Sequence, residues 1–372
     1  MTQGGNWMRS IVISKINRRL LFLLTIVFLV VYVVVKFTRT ADICSSNSSS
    51  QQNSIIDFKH FGHAALLYRS QSRESQGSKN LTDEYVAGIR LIYSEKFTPH
   101  PFWLVIPGMG SNVHADNINS ELFAEGMIKS FAMEDRLATS IYKRYCKSSA
   151  KNLVVDIGSN IGWYSALAIA HGCRAITVDG AKDALMYYAA TVEMNGWHKK
   201  SSIVNSVVTN QREGTFVFNG WNTFSKDESL SLKEKASLYT SQTPRRMDSL
   251  VGDEVVAYLK VDIEGHEPDG FSSGKILFHT QHTQNKILNV LFEFTYRLSG
   301  KSLHNEYKQH VFDMLWSSGY LCFSITDIVQ KISGWEEISS MLEKACGDAQ
   351  TCGLNVWCTV SDADLFDELR KK

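Results

Sequence analysis

Asp156, Gly158, Asn160 and Gly162 stand in the run DIGSNIGWYS (156–165), a D-x-G-x-N-x-G pattern that ends an apolar stretch and opens a helix-like one. Glycine lets a backbone turn at positive φ and come close to a ligand, and open α/β sheets bind cofactors at such strand ends. The dinucleotide pattern G-x-G-x-x-G fails here, because Asn160 and Trp163 occupy its second and third glycine positions. Asp179 closes the next apolar run, roughly twenty residues further on, where a carboxylate can accept both hydroxyls of a ribose. As plain structure the loop would be an ordinary turn with Asp156 or Asn160 capping the helix. With Asp179 it indicates a nucleoside site, whose binding residues are Asp156, Gly158, Asn160, Gly162 and Asp179.

Two further runs follow, RRMDSL (245–250) and YLKVDIEGHE (258–267). Together with DIGSNIGWYS, the acidic end of the second apolar run and a helix ending at Asn195, they resemble the FkbM family of methyltransferases, from about Leu153 to Tyr320. The resemblance implies a class I Rossmann-like α/β sheet of seven strands, the last antiparallel. It also implies S-adenosyl-L-methionine as methyl donor and transfer to a hydroxyl oxygen, often on a sugar or polyketide. Family members often carry Glu-Pro where this chain has Asp179-Gly180, a departure that bears on the shape of the loop.

On that reading Asp262, Glu264, His266 and Glu267 gather beside the sulfonium. Methyl transfer is an in-line displacement, so an acceptor oxygen must be held against the methyl carbon while its proton is removed. Asp262, Glu264 and His266 are the candidate catalytic group, with His266 or Glu264 as base. A surface or helix-start histidine is the plainer account of His266. Glu293, at the end of the fifth strand, is expected to converge on the same pocket. Three carboxylates can hold a divalent cation, but they can equally orient acceptor hydroxyls, and no metal is expected. Asp248 reads as a cap for the short segment after it, and Asn195-Gly196 as a helix end with a left-handed stop. Trp163, Trp221 and Phe224 are either core or a surface for a sugar face.

These residues need a parallel sheet covered on both faces, and the chain beyond Lys151 alternates apolar runs with helix-like stretches as such a sheet requires. The expected strands are 153–157, 175–179, 202–208, 256–263, 287–294, 320–325 and 355–360. The expected helices run from about 161–171, 181–194, 268–278 and 305–318. A hairpin near TFVFNG (215–220) and a polar loop over 225–243 interrupt the alternation beside the site. Upstream, a strand pair (GIRLIY, FWLVIP) and a helix from about Ser120 to Tyr145 make residues 85–150 an N-terminal extension packed on the methyltransferase domain at 151–362. Residues 363–372 read as a charged tail.

Leu20 to Val35, LLFLLTIVFLVVYVVV, carries no charge and makes residues 20–37 an N-terminal transmembrane helix. A cleaved signal peptide is the rival, but the apolar core is long and no small-x-small cleavage site follows. Arg9, Lys15, Arg18 and Arg19 precede it without an acid, which places residues 1–19 in the cytosol and the rest in the lumen of the Golgi or endoplasmic reticulum. Residues 38–84 read as a flexible Ser/Asn/Gln-rich stalk, with sequons at Asn47 and Asn80. Seven cysteines suit an oxidising compartment, with one local disulfide expected among Cys346, Cys352 and Cys358. The six-residue spacings match no zinc pattern.

A formal net charge of +1 gives no footing for a nucleic-acid partner. The partners expected are a glycan or other hydroxyl-bearing substrate and the membrane. A lipid or small metabolite is the alternative acceptor, and a non-catalytic binding protein with a retained Rossmann domain the alternative class. Oligomeric state is open.

Overall fold

A computed structural model describes residues 83–86, 89–94, 100–107, 133–147, 151–211, 216–219, 223–225, 239–242, 244–278, 286–297, 301–326, 329–347 and 351–370. The segment at 20–37, both sequons, Trp221 and the first residues of the helix expected from Ser120 lie outside them. Among the described residues no helix is long and apolar enough to cross a membrane.

The chain opens with β1 (Asp83–Val86), β2 (Ile89–Tyr93) and β3 (Trp103–Pro107), an antiparallel three-stranded sheet. Helix α1 (Met133–Tyr145) follows. Then come β4 (Leu153–Ile157), α2 (Trp163–Ala170), β5 (Arg174–Asp179), α3 (Lys182–Asn195) and β6 (Ser201–Asn205). The expected third strand breaks at Ser206, and its second half, β7 (Val207–Val208), leaves the main sheet to pair with β11 (Pro244–Arg245). Between these two lie β8 (Phe216–Asn219), β9 (Thr223–Ser225) and β10 (Tyr239–Gln242), which extend the expected hairpin to three strands in the order β10-β8-β9.

After the short α4 (Met247–Val251) come β12 (Val256–Val261), α5 (Glu267–Ser273), α6 (Lys275–Phe278) and β13 (Asn289–Arg297). Helix α7 (Lys301–Tyr307) runs through a π turn at Lys308–Phe312 into α8 (Asp313–Ser317). The chain ends with β14 (Leu321–Ile325), β15 (Gln330–Ile332), α9 (Trp335–Cys346), β16 (Thr351–Thr359) and α10 (Leu365–Arg370).

The main sheet has eight strands in the order β15-β14-β16-β13-β12-β4-β5-β6. From β6 to β13 neighbours are parallel, and β16 runs antiparallel to both β13 and β14. This is an α/β Rossmann-like fold with a mostly parallel sheet, with β15 added as a hairpin partner at one edge. Strands β1 and β15 and helices α9 and α10 were not expected. Helix α9 carries its signal openly, since Ile338, Leu342 and Cys346 are buried on one face. The expected charged tail begins as α10, where Leu365 and Leu369 are 1% and 4% exposed.

Strands β4 and β12 are buried along their whole length, which is why they read as near-continuous apolar runs, interrupted by Asp156 and Lys260, rather than alternating ones. Alternate residues still part to opposite faces. Val154, Tyr258 and Trp357 join the core under α1, α2 and α3, while Val155, Leu259 and Val356 join the one under α5, α8 and α9. Asn195 does more than end α3: its amide brackets β3, accepting from Trp103 N at 3.0 Å and donating to Trp103 O at 2.7 Å. Gly196 follows at φ 69 as the left-handed stop. Asp248 caps nothing; it sits inside the first turn of α4 and accepts from the Arg246 guanidinium at 2.7 Å.

Candidate functional site

The loop after β4 is built by hydrogen bonds to β5, with Gly158 N and Ser159 N both reaching Val178 O at 2.9 and 3.2 Å. Three of its residues take positive φ: Gly158 at 73, Asn160 at 51 and Gly162 at 76. The glycines are required by protein rather than by ligand alone. A Cβ at 158 would collide with the Asp262 carbonyl, and one at 162 with the Tyr188 ring.

Asp156 stands behind the loop and is not on the cavity wall. Its fully buried carboxylate accepts from Ser165 N at 3.1 Å and Ser165 Oγ at 2.8 Å, fixing the first turn of α2. Burial pushes its carboxyl up, against the pull of the nearby Lys260 ammonium. Its role is to hold the loop, which corrects the expectation of direct cofactor contact.

Asp179 faces the cavity from the end of β5. It accepts from Asn160 N and Ala181 N, each at 2.7 Å, and so ties the glycine loop to its own turn. Burial pushes its carboxyl up to about 6. Each oxygen keeps a lone pair for a further donor. Asn205 Nδ2 supports the turn from β6, donating to Asp179 O at 2.9 Å and Gly180 O at 3.0 Å.

Across the cleft, β12 contributes Lys260, a buried cation that sequence reasoning did not single out. Its ammonium donates to Gly158 O at 3.1 Å, pairs with Asp262 at 3.1 Å and lies 3.8 Å from Asp156. Burial opposes the charge, but the two carboxylates outweigh it and hold the ammonium above its usual range. A charged residue inside an otherwise apolar strand was the signal for it.

The next loop carries Glu264 at φ 56 and Gly265 at φ 91. An acidic residue held in the left-handed region needs surrounding structure to keep it there. Glu267 provides it: fully buried, it accepts from Ile263 N at 2.8 Å and bonds the Tyr307 hydroxyl, which in turn accepts from Thr295 N at 3.2 Å. Burial pushes the Glu267 carboxyl up to about 8. Glu267 is thus the support of the loop and does not line the cavity, whereas Asp262, Glu264 and His266 do.

Glu293 reaches the same cavity from β13. Burial, then the charges of Asp262 and Glu264, push its carboxyl up to about 7. Trp163 also lines the cavity, but its indole is buried and donates to Asp135 at 2.8 Å, so it is chiefly core. Among the described residues no group of three His, Cys, Asp or Glu is spaced to hold a metal ion.

The resulting cavity, about 320 Å³, opens at the carboxyl ends of β4 and β12, where the strand order reverses. Its volume lies in the range of small-molecule sites. Ser159 Oγ and Asn160 Oδ1 belong to lining residues and have no hydrogen-bond partner among the described residues. Buried polar atoms of that kind fit a ligand with polar groups.

No family model matches the chain, and no curated protein matches it. Likeness to solved structures is remote. Precorrin-6y C5,15-methyltransferase from Geobacter metallireducens GS-15 has TM-score 0.30 and 7% identity, over 60% of this chain and 87% of its own. The SAM-dependent methyltransferase from Agrobacterium tumefaciens has TM-score 0.35 and 9% identity, over 77% and 74%. The methyltransferase SMU.776 complexed with SAH has TM-score 0.32 and 10% identity, over 76% and 58%. Likeness of this order adds nothing to what the strand order establishes.

Proposed function

We propose that this chain is an S-adenosyl-L-methionine-dependent methyltransferase that acts on a hydroxyl, in the FkbM manner that its motifs resemble. One observation carries the reading: Asp179 and the loop at 158–162 share a cavity with the carboxylates of Asp262, Glu264 and Glu293, at the reversal point of the sheet. The Asp179 side would take the ribose hydroxyls, and the unpartnered oxygens of Ser159 and Asn160 would take donors of the same nucleoside. When bound, the donor supplies an electrophilic methyl group on a sulfonium.

The residues of the chain have three tasks in that reaction. They hold the acceptor oxygen in line, exclude water and remove a proton. The acidic wall of Asp262, Glu264 and Glu293 suits a cationic donor and gives hydroxyl groups acceptors to point at. Lys260 bonds both Asp262 and the Gly158 carbonyl and so ties the two halves of the cavity together.

The acceptor is proposed as a glycan or glycoconjugate in the lumen of the secretory pathway. Support comes from the apolar run at 20–35, the sequons at Asn47 and Asn80, and three disulfides in the folded domain. The test of the donor site is equilibrium binding of S-adenosyl-L-methionine to the wild type and to Asp179→Ala. Loss of charge-assisted hydrogen bonds to both ligand and loop predicts at least about 10-fold weaker binding. Undiminished affinity would move the donor away from this cavity. Locating the methyl group by mass spectrometry, after incubation with labelled donor and separate glycan and lipid fractions, then tests the acceptor.

A further inference from the structure

Resting on the methyltransferase reading, we propose that Glu293 is the residue that takes the acceptor's proton, and that arrival of the cationic donor first drives Glu293's own proton into solvent.

The geometry singles out Glu293 among the acids of the cavity. Glu264 is exposed, on a loop. Asp262 is spent on the Lys260 ammonium at 3.1 Å. Glu293 sits on a nine-residue strand paired on both sides, opposite Asn355 of β16, half-buried and facing the cavity. Its carboxylate fills the space left by Gly353, where a Cβ would collide with Oε1. Thr295 Oγ1 donates to Oε2 at 3.3 Å. A proton acceptor needs this combination of fixed position and access.

The charges around it come from three directions. The loop after β12 brings Asp262, Glu264 and His266; β12 brings Lys260; α1 brings Glu134 and Asp135 to the cavity. Glu134 accepts from Asn355 at 2.8 Å, and Asp135 from the Trp163 indole. Carboxylates outnumber cations, and Lys260 is already held by Gly158 O and Asp262. Burial, then the charges of Asp262 and Glu264, leave Glu293 titrating at about 7, poised between its two forms. A sulfonium placed in the cavity favours the ionised form, so binding releases a proton.

The later step balances. The acceptor O–H bond breaks and its proton passes to Glu293; the new O–CH3 bond forms as the S–CH3 bond breaks, its electron pair going to sulfur. A cation and a carboxylate thereby become a thioether and a neutral carboxyl, and the net charge of the cavity is unchanged. Departure of S-adenosylhomocysteine leaves Glu293 protonated, ready for the next donor to expel that proton.

The test is calorimetric titration of the full-length protein with S-adenosyl-L-methionine and with S-adenosylhomocysteine at about pH 7, each in two buffers of different ionisation heat. The two ligands share ribose, adenine and amino acid, so contributions from Asp179 cancel and the difference isolates the sulfonium. The wild type should release more protons with the methyl donor than with the product. Glu293→Gln should bind both ligands and lose the difference. Gly353→Ala, whose added methyl must displace the Glu293 carboxylate, should shrink it and serves as the second reading if the first variant is unstable. Equal proton release in the wild type, or a difference that survives in both variants, overturns the proposal while leaving the donor site intact. Failure of either nucleoside to bind overturns the donor site as well.

Discussion

Glu267 illustrates how a single buried carboxyl makes stability depend on pH. In the folded chain it titrates at about 8, chiefly because burial penalises its charge; in the unfolded chain a glutamate titrates at about 4.3. The folded value is the higher, so the stability it contributes is complete below the unfolded value and lost as pH rises through the folded one. Glu267→Gln keeps an acceptor for Ile263 N and has nothing to ionise. Its melting temperature, followed by circular dichroism, should therefore fall less between about pH 5 and 8 than the wild type's, with a relative gain on the order of a few kcal/mol at the alkaline end. A parallel decline in both proteins would show that Glu267 is ionised in the fold. The acid-rich run that contains it was legible in the sequence; its role was not, because the Tyr307 hydroxyl that completes the support lies forty residues away. Asp156 was misplaced for a related reason. A carboxylate that holds a loop from behind and one that meets a ligand have the same place in the motif, and only the position of Ser165 tells them apart.

At the scale of elements, the glycine loop was readable as a turn, since Gly158 and Gly162 both take positive φ. What encloses it was not readable, because the Asp262 carbonyl and the Tyr188 ring belong to other elements. That difference has a measurable consequence. Gly196 also has positive φ, at 69, but apart from its own chain neighbours no atom of the described residues lies within 4 Å of where its Cβ would be. Gly196→Ala should therefore carry only the backbone strain of a left-handed residue, about 1 kcal/mol. Gly158→Ala adds a collision with backbone that cannot rotate away, and should destabilise by about 3 kcal/mol or more in denaturant unfolding. Equal effects would mean that the loop and the 262–265 segment separate easily. Most strands of the sheet were legible because two covered faces leave long apolar runs, as in β4 and β12. Strand β15 was missed because QKI is short, with Gln330 and Lys331 exposed at the sheet's edge. The break at Ser206 was missed because Val207 and Val208 look like more of the same strand, although their partner is β11.

For the whole molecule the disulfides decide most. The six cysteines among the described residues form three pairs: Cys146–Cys173 ties α1 to the start of β5, Cys322–Cys358 crosses from β14 to β16, and Cys346–Cys352 joins α9 to β16. The short pair falls within the expected group near the C-terminus. Cys358 instead takes a partner 36 residues back, because strand register places the two directly opposite. Spacing alone cannot reveal that. In the chain-entropy account a cross-link stabilises more as the loop it closes lengthens, so separations of 36, 27 and 6 correspond to about 4, 3.5 and 2 kcal/mol. Replacing Cys322 and Cys358 together by alanine should accordingly lower denaturant stability about twice as much as replacing Cys346 and Cys352. Strand β14 would feel it most, since β16, to which the Cys322–Cys358 bridge ties it, joins it and β15 to the rest of the sheet. Peptide mapping without reductant should recover all three linkages from protein made in an oxidising compartment. Free thiols at these six positions in the native protein would count against the proposed lumenal setting, while leaving the cavity and its carboxylates as they stand.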